Sequence, residues 1–401
     1  MNFIDIKTLS FLLSISSFFV LFGLNFVFAQ FKSERPTARE LGIDVGIFLP
    51  GPKNSITDVS GVKVGHFTLW EGEEVRTGVT FVLPHSKNIY QDKVPAGIYV
   101  GNGFGKATGL SQIEELGNLE TPILITNTLS VPDCASALID YILNLEGNQD
   151  VRSVNPLVFE TNDGYLNDIR GRHIKKEHIF KAIDNANENA VEMGAVGAGT
   201  GTHCMGFKGG VGSSSRVLPE SFGSFTIGVL VVTNFGGILE INGAPVGREL
   251  GEFYYKEKIL KGDEGSCIIV IATDAPLSSR NLKRLAKRAI LGLARTGFFS
   301  SNGSGDYAVA FSVDQKLRIK HSPEKIKGEV ELLYNEKMSP LFLATIEATQ
   351  EAVYNSMLKA ETVKGKDGHI LEALPIEKVK SICEKYNVLN WHKKILPYGE
   401  K

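Results

Sequence analysis

The stretch Gly262-Asp263-Glu264-Gly265-Ser266-Cys267, followed by Ile268-Ile269-Val270-Ile271-Ala272, joins a polar, glycine-rich loop to an apolar run. A short apolar run rich in β-branched residues is typical of a strand buried on both faces. Ser266 lies at the junction, where the loop enters the predicted core. We therefore expect a fold organised around a central strand that begins beside a serine.

The peptide bond before Ser266 has the chemistry that an N-terminal-nucleophile enzyme needs. Gly265 has no Cβ, so it leaves its carbonyl open to attack and tolerates strained dihedral angles. The Ser266 hydroxyl could attack that carbonyl, shift the acyl group from nitrogen to oxygen and, after hydrolysis, leave a free α-amino group. Such an amine titrates near about 7.7 to 8.0 and can act as the base for its own hydroxyl. The same residues also suit an ordinary turn before a strand.

The composition indicates a globular protein and excludes several kinds of site. The 401 residues are 43% hydrophobic and 22% charged, with a formal net charge of −2, which argues against a nucleic-acid binder. The histidines form no HxH or HxxxH pair, so we expect no metal and no cofactor. The cysteines have no metal-binding spacing and are interpreted as mostly buried thiols: Cys134, Cys204, Cys267 and Cys383.

The first 29 residues differ from the rest of the chain. Lys7 precedes an apolar run from Leu9 to Phe28, and Val27-Phe28-Ala29 has the small residues that a signal peptidase reads. We predict a signal peptide over residues 1–29, cleaved before Gln30, and a mature chain that is periplasmic or secreted and free of the membrane. An uncleaved membrane anchor is the alternative, because the run is long.

Strands and helices alternate along the remaining chain. We predict short strands within 46–64 and an exposed linker over 243–265. Further strands are predicted at 77–84, 122–126, 157–160, 225–233 and 308–312, and helices at 110–116, 135–145, 178–191, 281–296, 340–360 and 376–386. This alternation predicts one α+β domain.

Three polar stretches beside these strands are candidates for a binding site. The polar run Thr161–Asp168 follows a buried strand, where substrate-binding groups are common, although it also suits an Asx turn. Asn234 ends a strand and could donate its amide to an oxyanion. The glycine-rich stretch Gly101–Lys106 lacks the Ser or Thr that a Walker loop requires, since Ala107 follows Lys106, so we exclude a nucleotide site.

Taken together, five motifs resemble the L-aminopeptidase/D-esterase and β-peptidyl aminopeptidase family over about Ile43 to Leu374. They occur in the family's order and at about its spacing. The motifs are Thr161-Asn162-Asp163-Gly164-Tyr165-Leu166-Asn167-Asp168, Phe207-Lys208-Gly209-Gly210-Val211-Gly212, Asn234-Phe235-Gly236-Gly237, Gly265-Ser266 before Ile271-Ala272-Thr273-Asp274-Ala275-Pro276, and Asn302-Gly303-Ser304-Gly305-Asp306.

The resemblance implies an αββα sandwich like that of N-terminal-nucleophile hydrolases, with a different connectivity. It implies a precursor cut between Gly265 and Ser266 into an α subunit, residues 30–265, and a β subunit, residues 266–401, which together form one structural domain. The family usually forms homotetramers of such processed units, and we carry that expectation over.

The resemblance also assigns roles to individual residues. Ser266 would be the nucleophile and Asn234 the oxyanion donor. Ser304 and the acidic residue two positions later would support them; this residue is often glutamate in the family and is Asp306 here. Tyr165 matches a tyrosine that lines the site and could donate to the same oxyanion. Glu160 and Asp163 are candidates for binding the substrate's ammonium group.

The function implied is a self-processing serine aminopeptidase or amidase, acting on small peptides, amides or esters through an acyl-enzyme on Ser266. The residues agree, because acyl transfer needs a nucleophile, a base and preorganised donors. An α/β-hydrolase is disfavoured, since Asn302 and Asp306 stand where a GxSxG elbow around Ser304 needs glycine. Two alternatives stay open: an acyltransferase similar to ornithine acetyltransferase, which normally uses threonine, and a non-catalytic binding protein that keeps the chain uncut.

Overall fold

The predicted central strand is present and runs from Gly265 to Thr273, with all nine residues buried. The computed structural model describes residues 35–253, 265–323 and 325–398. The predicted signal peptide, the anchor considered as its alternative, and residues 254–264 of the predicted linker therefore lie outside the described residues. The described residues from Pro36 onward belong to one compact unit.

The strands are short to medium in length, and the longest is β3. In chain order they are β1 Lys63–Glu71, β2 Val75–Leu83, β3 Asp92–Gly103, β4 Asn118–Leu119, β5 Ile123–Asn127, β6 Leu157–Thr161, β7 His203–Cys204, β8 Phe207–Lys208, β9 Val211–Val217, β10 Thr226–Asn234, β11 Gly265–Thr273, β12 Ser304–Ser312, β13 Ile319–Lys320, β14 Val363–Lys364 and β15 Ile370–Leu371.

Two helices are much longer than the others and carry most of the helical packing. In chain order the helices are α1 Leu110–Leu116, α2 Val131–Leu143, α3 Lys176–Asp184, α4 Val246–Leu250, α5 Ser279–Ala294, α6 Ser339–Leu358, α7 Ile376–Lys385 and α8 Trp391–Lys394. The Ser278 side chain accepts a hydrogen bond from Asn281 N and caps the start of α5.

The strands form two main sheets. The larger has the order β13-β3-β12-β11-β10-β9, with β4 beside β3, and the smaller has the order β1-β2-β5-β6. Strand β11 is central in the larger sheet, parallel to β12 and antiparallel to β10. Its position explains its sequence, because a strand covered on both faces must be apolar on both faces.

Alternate residues of β11 enter two different hydrophobic cores. Ile268 and Val270 pack between the two sheets, against residues such as Phe159 of β6. Ile269 and Ile271 pack on the other face, against α5 and α6. Burying each of these side chains contributes about 1.5–3 kcal/mol to folding.

A third core completes the layers, because α2 and α3 cover the outer face of the smaller sheet. The order of layers is therefore helix, sheet, sheet, helix. This confirms the predicted α+β class and the αββα sandwich.

Four predictions of local structure were wrong. Residues 46–64 hold a 3₁₀ turn, Ile56–Asp58, rather than short strands, and β1 begins only at Lys63. The helix predicted at 178–191 spans Lys176–Asp184, because Asn187 pairs its backbone with Val64 instead. The predicted linker contains α4, whose Val246 is fully buried. The strand predicted at 308–312 begins earlier, at Ser304, because pairing with β11 extends β12.

Other expectations concern side chains. All four cysteines are buried and free, as interpreted from the sequence. Within the described ranges, no group of three or more His, Cys, Asp or Glu side chains is arranged to hold a metal ion. No helix in the same ranges combines the length and hydropathy needed to cross a bilayer.

Candidate active site

Three neighbouring strands bring four of the predicted site residues together. Ser266 of β11 lies opposite Asn234 of β10 in the antiparallel ladder. On its other side β11 pairs with β12, where Gly265 lies opposite Ser304 and Cys267 lies opposite Asp306. The pairing of strands far apart in sequence thus collects the candidate nucleophile, oxyanion donor and supporting pair at one end of the larger sheet.

The Ser266 side chain is directed at the peptide bond that the sequence singled out. Ser266 is 3% exposed, and its Oγ donates a hydrogen bond to the Gly265 carbonyl oxygen at 2.5 Å. By the alternation of β11, the side chain lies on the face between the two sheets, with Ile268 and Val270. The hydroxyl is therefore held against the group it would attack.

Gly265 provides space rather than an unusual backbone conformation. Its φ lies outside the left-handed region, and it is simply the first residue of β11. A Cβ at this position would lie 3.2 Å from Ser304 Oγ, which is closer than ordinary van der Waals contact. The glycine instead allows the Ser304 hydroxyl to approach the Gly265–Ser266 peptide.

Asp306 and two serines form a hydrogen-bonded group behind that peptide. Ser304 Oγ donates to Asp306 Oδ1 at 2.7 Å, and Ser300 Oγ donates to Oδ2 at 3.1 Å. Burial raises the pKa of Asp306 to about 6, although hydrogen bonds from Ser304, Ser300 and the Cys267 backbone oppose the shift. The aspartate reaches Ser304 despite being one methylene shorter than the family's usual glutamate.

Ser304 and Asp306 lie on the helix-facing side of the sheet, because they alternate with Tyr307 and Val309, which face the other sheet. The Ser266 side chain lies on the opposite face. The Ser304–Asp306 pair thus lies beside Gly265, on the face of the sheet away from the Ser266 hydroxyl.

The Asn234 side-chain amide is fixed at both ends. Its Oδ1 accepts a hydrogen bond from His203 N at 3.2 Å, and its Nδ2 donates to the Asn162 carbonyl oxygen at 2.9 Å. An amide nitrogen has two hydrogens, so one remains for another acceptor. Asn234 shares the inter-sheet face with Ser266, since Leu230 and Val232 of the same strand lie there.

The two candidate ammonium-binding carboxylates have different surroundings. Glu160 is buried, and its Oε1 accepts from Lys106 N at 3.1 Å while its Oε2 accepts from the Thr128 hydroxyl. Asp163 is buried among hydrogen bonds from Asn167 and Thr77, and burial raises its pKa to about 7. Asp163 therefore serves its own loop, whereas Glu160, the residue before the last in β6, is held by Lys106 N and the Thr128 hydroxyl.

Tyr165 lies farther out than the other predicted residues. Its ring is 49% exposed and stacks on His369, with ring centroids 4.3 Å apart. Within the described ranges, no hydrogen bond joins its hydroxyl to Ser266. The sequence motif placed Tyr165 near Asn162, but only the packing of the β14–β15 hairpin sets the direction of its ring.

Sequence reasoning assigned no role to Lys208 and His203, which support Asn234. Lys208 is fully buried, and its Nζ donates to the carbonyl oxygens of Gly199 at 2.8 Å and Gly209 at 2.7 Å. These bonds close the loop that presents His203 N to Asn234. The signal available was a lysine inside the glycine-rich motif at 207–212.

The glycine-rich stretch at 101–106 lacks the sequence of a nucleotide site. In the structure it supports the start of β12. Phe104 N donates to the Ser304 carbonyl oxygen at 3.2 Å, and Asn102 Nδ2 donates to the same oxygen at 2.5 Å. The Tyr307 ring leaves no room for a side chain at Gly105. The glycines thus serve close packing beside the candidate site.

Comparisons with known proteins agree with this geometry. The profile of peptidase family S58 matches residues 54–371. The β-peptidyl aminopeptidase BapA of Sphingosinicella microcystinivorans is 41% identical over 383 residues, covering 89% of this chain and 94% of that protein.

Solved structures give the same result. The L-aminopeptidase D-Ala-esterase/amidase of Ochrobactrum anthropi, described as a prototype serine aminopeptidase with a variant of the Ntn hydrolase fold, has a TM-score of 0.82 and 36% identity, covering 88% of this chain and 100% of its own. The PH0078 protein of Pyrococcus horikoshii OT3 has a TM-score of 0.81 and 51% identity, covering 88% of this chain and 99% of its own. The chain belongs to peptidase family S58 and is a hydrolase of the serine aminopeptidase type.

Proposed function

We propose that this aminopeptidase processes itself at the Gly265–Ser266 bond and then uses Ser266 to release N-terminal residues from small peptides, amides or esters. The observation that carries the proposal is the hydrogen bond of 2.5 Å from Ser266 Oγ to the Gly265 carbonyl oxygen, at a position paired with Asn234. The products would be an α subunit, residues 30–265, and a β subunit, residues 266–401.

In the self-processing step, Ser266 Oγ attacks the Gly265 carbonyl carbon and the peptide nitrogen leaves as the α-amine of Ser266. Water then hydrolyses the resulting ester and restores the hydroxyl. The remaining N–H of the Asn234 amide supports this step, because a donor aimed at the developing oxyanion lowers the barrier.

In substrate hydrolysis, the α-amine accepts the proton of the Ser266 hydroxyl as Oγ attacks the substrate carbonyl. The position of Ser304 and Asp306 supports a role in orienting that amine once the cut frees it, since Ser304 lies beside Gly265 and Asp306 lies opposite Cys267. Glu160, buried near the end of β6, would bind the substrate's ammonium group. Tyr165 would need its ring to turn inward to reach the oxyanion.

The names of relatives suggest which substrates to assay. BapA is a β-peptidyl aminopeptidase, and the O. anthropi enzyme acts on L-amino and D-Ala compounds. We therefore propose β-amino-acid, L-amino-acid and D-alanyl p-nitroanilides and esters as the first panel. Residues 1–29 support an exported enzyme, and the family resemblance supports a homotetramer, which light scattering of the purified protein would measure.

The decisive experiment is Ser266→Ala in protein made without residues 1–29. We expect the variant to stay a single chain. Its hydrolytic rate should fall more than about a thousandfold, because the nucleophile is removed. The unmodified chain should yield a fragment whose N-terminal sequence begins Ser-Cys-Ile-Ile-Val. Ser312→Ala, which changes a buried serine at the far end of β12, is the matched control and should be cut and active.

The two alternatives predict different results. An acyltransferase would be cut but would hydrolyse little without an amine acceptor, and a binding protein would stay intact after long incubation. A Ser266→Ala variant that retains full activity would end the proposal.

A further inference from the structure

Two buried hydroxyl groups have no hydrogen-bond partner among the described residues: Ser130 Oγ and Thr161 Oγ1. Both residues are fully buried. A buried hydroxyl without a partner costs about 1–3 kcal/mol, so such groups are rare unless they serve a purpose. Their different positions suggest that only one of the two serves the active site.

Thr161 faces the nucleophile across the gap between the sheets. In β6, Leu157 and Phe159 pack between the sheets while Val158 packs against the outer helices, so Thr161 continues the inter-sheet face. The Ser266 side chain lies on the inter-sheet face of β11, and β11 and β6 contact each other.

A hydrogen bond joins the end of β10 to the residue that follows β6. The carbonyl oxygen of Asn162, the residue after Thr161, accepts the hydrogen bond from Asn234 Nδ2 at 2.9 Å. Asn234 lies directly opposite Ser266 in the ladder. Thr161 is therefore next to the residue that Asn234 binds, on the same inter-sheet face as Ser266.

Among the described residues of its own sheet, no neighbour of Thr161 forms a hydrogen bond with its hydroxyl. Thr161 pairs with Asn127, whose Nδ2 donates to Thr77 Oγ1 at 2.9 Å and whose Oδ1 accepts from Ser130 N at 3.1 Å. A valine would fill the same volume without the cost of a buried hydroxyl. The hydroxyl is explained if it serves a group that enters the gap during the reaction.

We propose that Thr161 is a further catalytic residue, which holds the water molecule that hydrolyses the acyl-enzyme on Ser266. Water is the partner best suited to a lone hydroxyl, because it both donates and accepts. The proposal rests on the proposed acyl-enzyme mechanism and names the group that directs its second half.

Hydrolysis of the acyl-enzyme begins with attack by this water. The water oxygen bonds to the acyl carbon while one of its protons passes to the Ser266 α-amine and the other remains hydrogen-bonded to Thr161 Oγ1. The bond from Ser266 Oγ to the acyl carbon then breaks, and the amine returns its proton to Oγ. The products are the free hydroxyl and a carboxylic acid, which ionises in solvent.

The test is Thr161→Val, assayed for how the acyl-enzyme divides between water and an added amine such as alaninamide. We expect the ratio of hydrolysis to transfer to fall about tenfold, as for the loss of one hydrogen bond to the attacking water. Release of p-nitroaniline should show a burst followed by a slow phase, and mass spectrometry should find acyl groups on the β subunit. With saturating alaninamide, the rate of p-nitroaniline release should stay near the unmodified value.

Two variants serve as controls. Thr161→Ser keeps the hydroxyl and should show the same ratio of hydrolysis to transfer as the unmodified enzyme. Ser130→Ala removes the other unpartnered hydroxyl, at the start of α2, and should leave the ratio unchanged. The melting temperature of Thr161→Val should not fall, because the change removes an unsatisfied group and keeps the volume.

An unchanged ratio in Thr161→Val, or an equal change in Ser130→Ala, would overturn the inference. If Thr161→Val does not fold, Thr161→Ala gives the same comparison. These failures differ from failure of the proposed function, because an enzyme that still needs Ser266 for the burst keeps its acyl-enzyme mechanism whatever Thr161 does.

Discussion

Two regions of the molecule bury a cation completely, and they treat it in opposite ways. Arg216 of β9 lies between two carboxylates of α6, with Nη2 2.8 Å from Glu351 Oε2 and Nε 3.3 Å from Glu347 Oε2. Lys208 of β8 has only the backbone carbonyl oxygens of Gly199 and Gly209 within hydrogen-bond distance among the described residues.

The electrostatic consequences follow from the partners. Burial favours the neutral form of Glu351, but Arg216 and Arg39 outweigh it and hold the pKa of Glu351 below its ordinary value. Burial lowers the pKa of Lys208 to about 7, since carbonyl dipoles compensate the charge only in part. The paired charge of Arg216 stabilises the fold, whereas Lys208, whose charge is compensated only in part, holds the loop whose His203 N contacts Asn234.

The largest expected effect comes from breaking the paired region. Glu351→Ala leaves Arg216 with one carboxylate partner and should lower the free energy of unfolding by about 3–5 kcal/mol, the usual cost of breaking a buried ion pair. Chemical denaturation would measure this. Because the hydrogen-bond partners of Glu351 among the described residues are Arg216, Arg39 and Asn54, and none of them is a candidate site residue, the fraction that folds should keep its kcat. A large loss of kcat would remove the distinction between the two regions.

Asp306 lies opposite Cys267, beside the proposed cut site, and the activity of its variants tests this part of the molecule. With a pKa of about 6, it accepts the Ser304 hydrogen bond above that pH and loses this ability as the pH falls below it. We expect kcat/KM to fall first as the α-amine is protonated, near about 7.7 to 8.0, and to fall more steeply below about 6 as Asp306 is protonated. Asp306→Asn should reduce kcat/KM about a hundredfold at pH 8. Asp306→Glu, which restores the family's usual residue, should stay active; an inactive Glu variant would show that the carboxylate position matters more than its charge.

Lys208→Met should have a smaller effect on both the stability and the activity. Loss of the two bonds from Nζ loosens the loop that presents His203 N to Asn234, so kcat should fall about tenfold, a fraction of the cost of losing an oxyanion donor outright.

The same variant tests the pKa of Lys208. Its ordinary value is 10.5, so between about pH 7 and 10.5 the unfolded chain binds one more proton than the folded chain. The free energy of unfolding of the unmodified protein should therefore rise with pH across that window, and Lys208→Met should lack this part of the rise. Denaturation curves at pH 7 and pH 9 for both proteins give the comparison, and parallel pH profiles would contradict it.

Much of the site could be predicted because its key residues stand at strand ends in recognisable motifs. Asn234 ends β10, Ser304 begins β12 and Ser266 is the second residue of β11, so a correct strand assignment places each one near the end of a strand. Their mutual contact could not be derived from patterning alone, because β10, β11 and β12 pair in an order that the sequence does not state. The resemblance to a known family supplied that order.

Residues that stand in a motif but were assigned no role were missed for a different reason. Lys208 and Thr161 look ordinary in the sequence, and their importance comes from what surrounds them. The length of α3 was overestimated because the apolar spacing continues past Asp184, where the backbone pairing of Asn187 with Val64 ends the helix. Such pairing depends on a partner more than a hundred residues away.

By itself, the sequence determined the buried strand, the serine at its start, the glycine before it and the alternation of elements, because these depend on local hydrophobicity and covalent structure. Only the tertiary structure decided that Gly265 makes room for Ser304 rather than adopting a strained φ, that Asp306 lies behind the scissile peptide, and that Thr161 faces Ser266. Those facts depend on which strands pair, in what register and on which face, and long-range packing fixes all three.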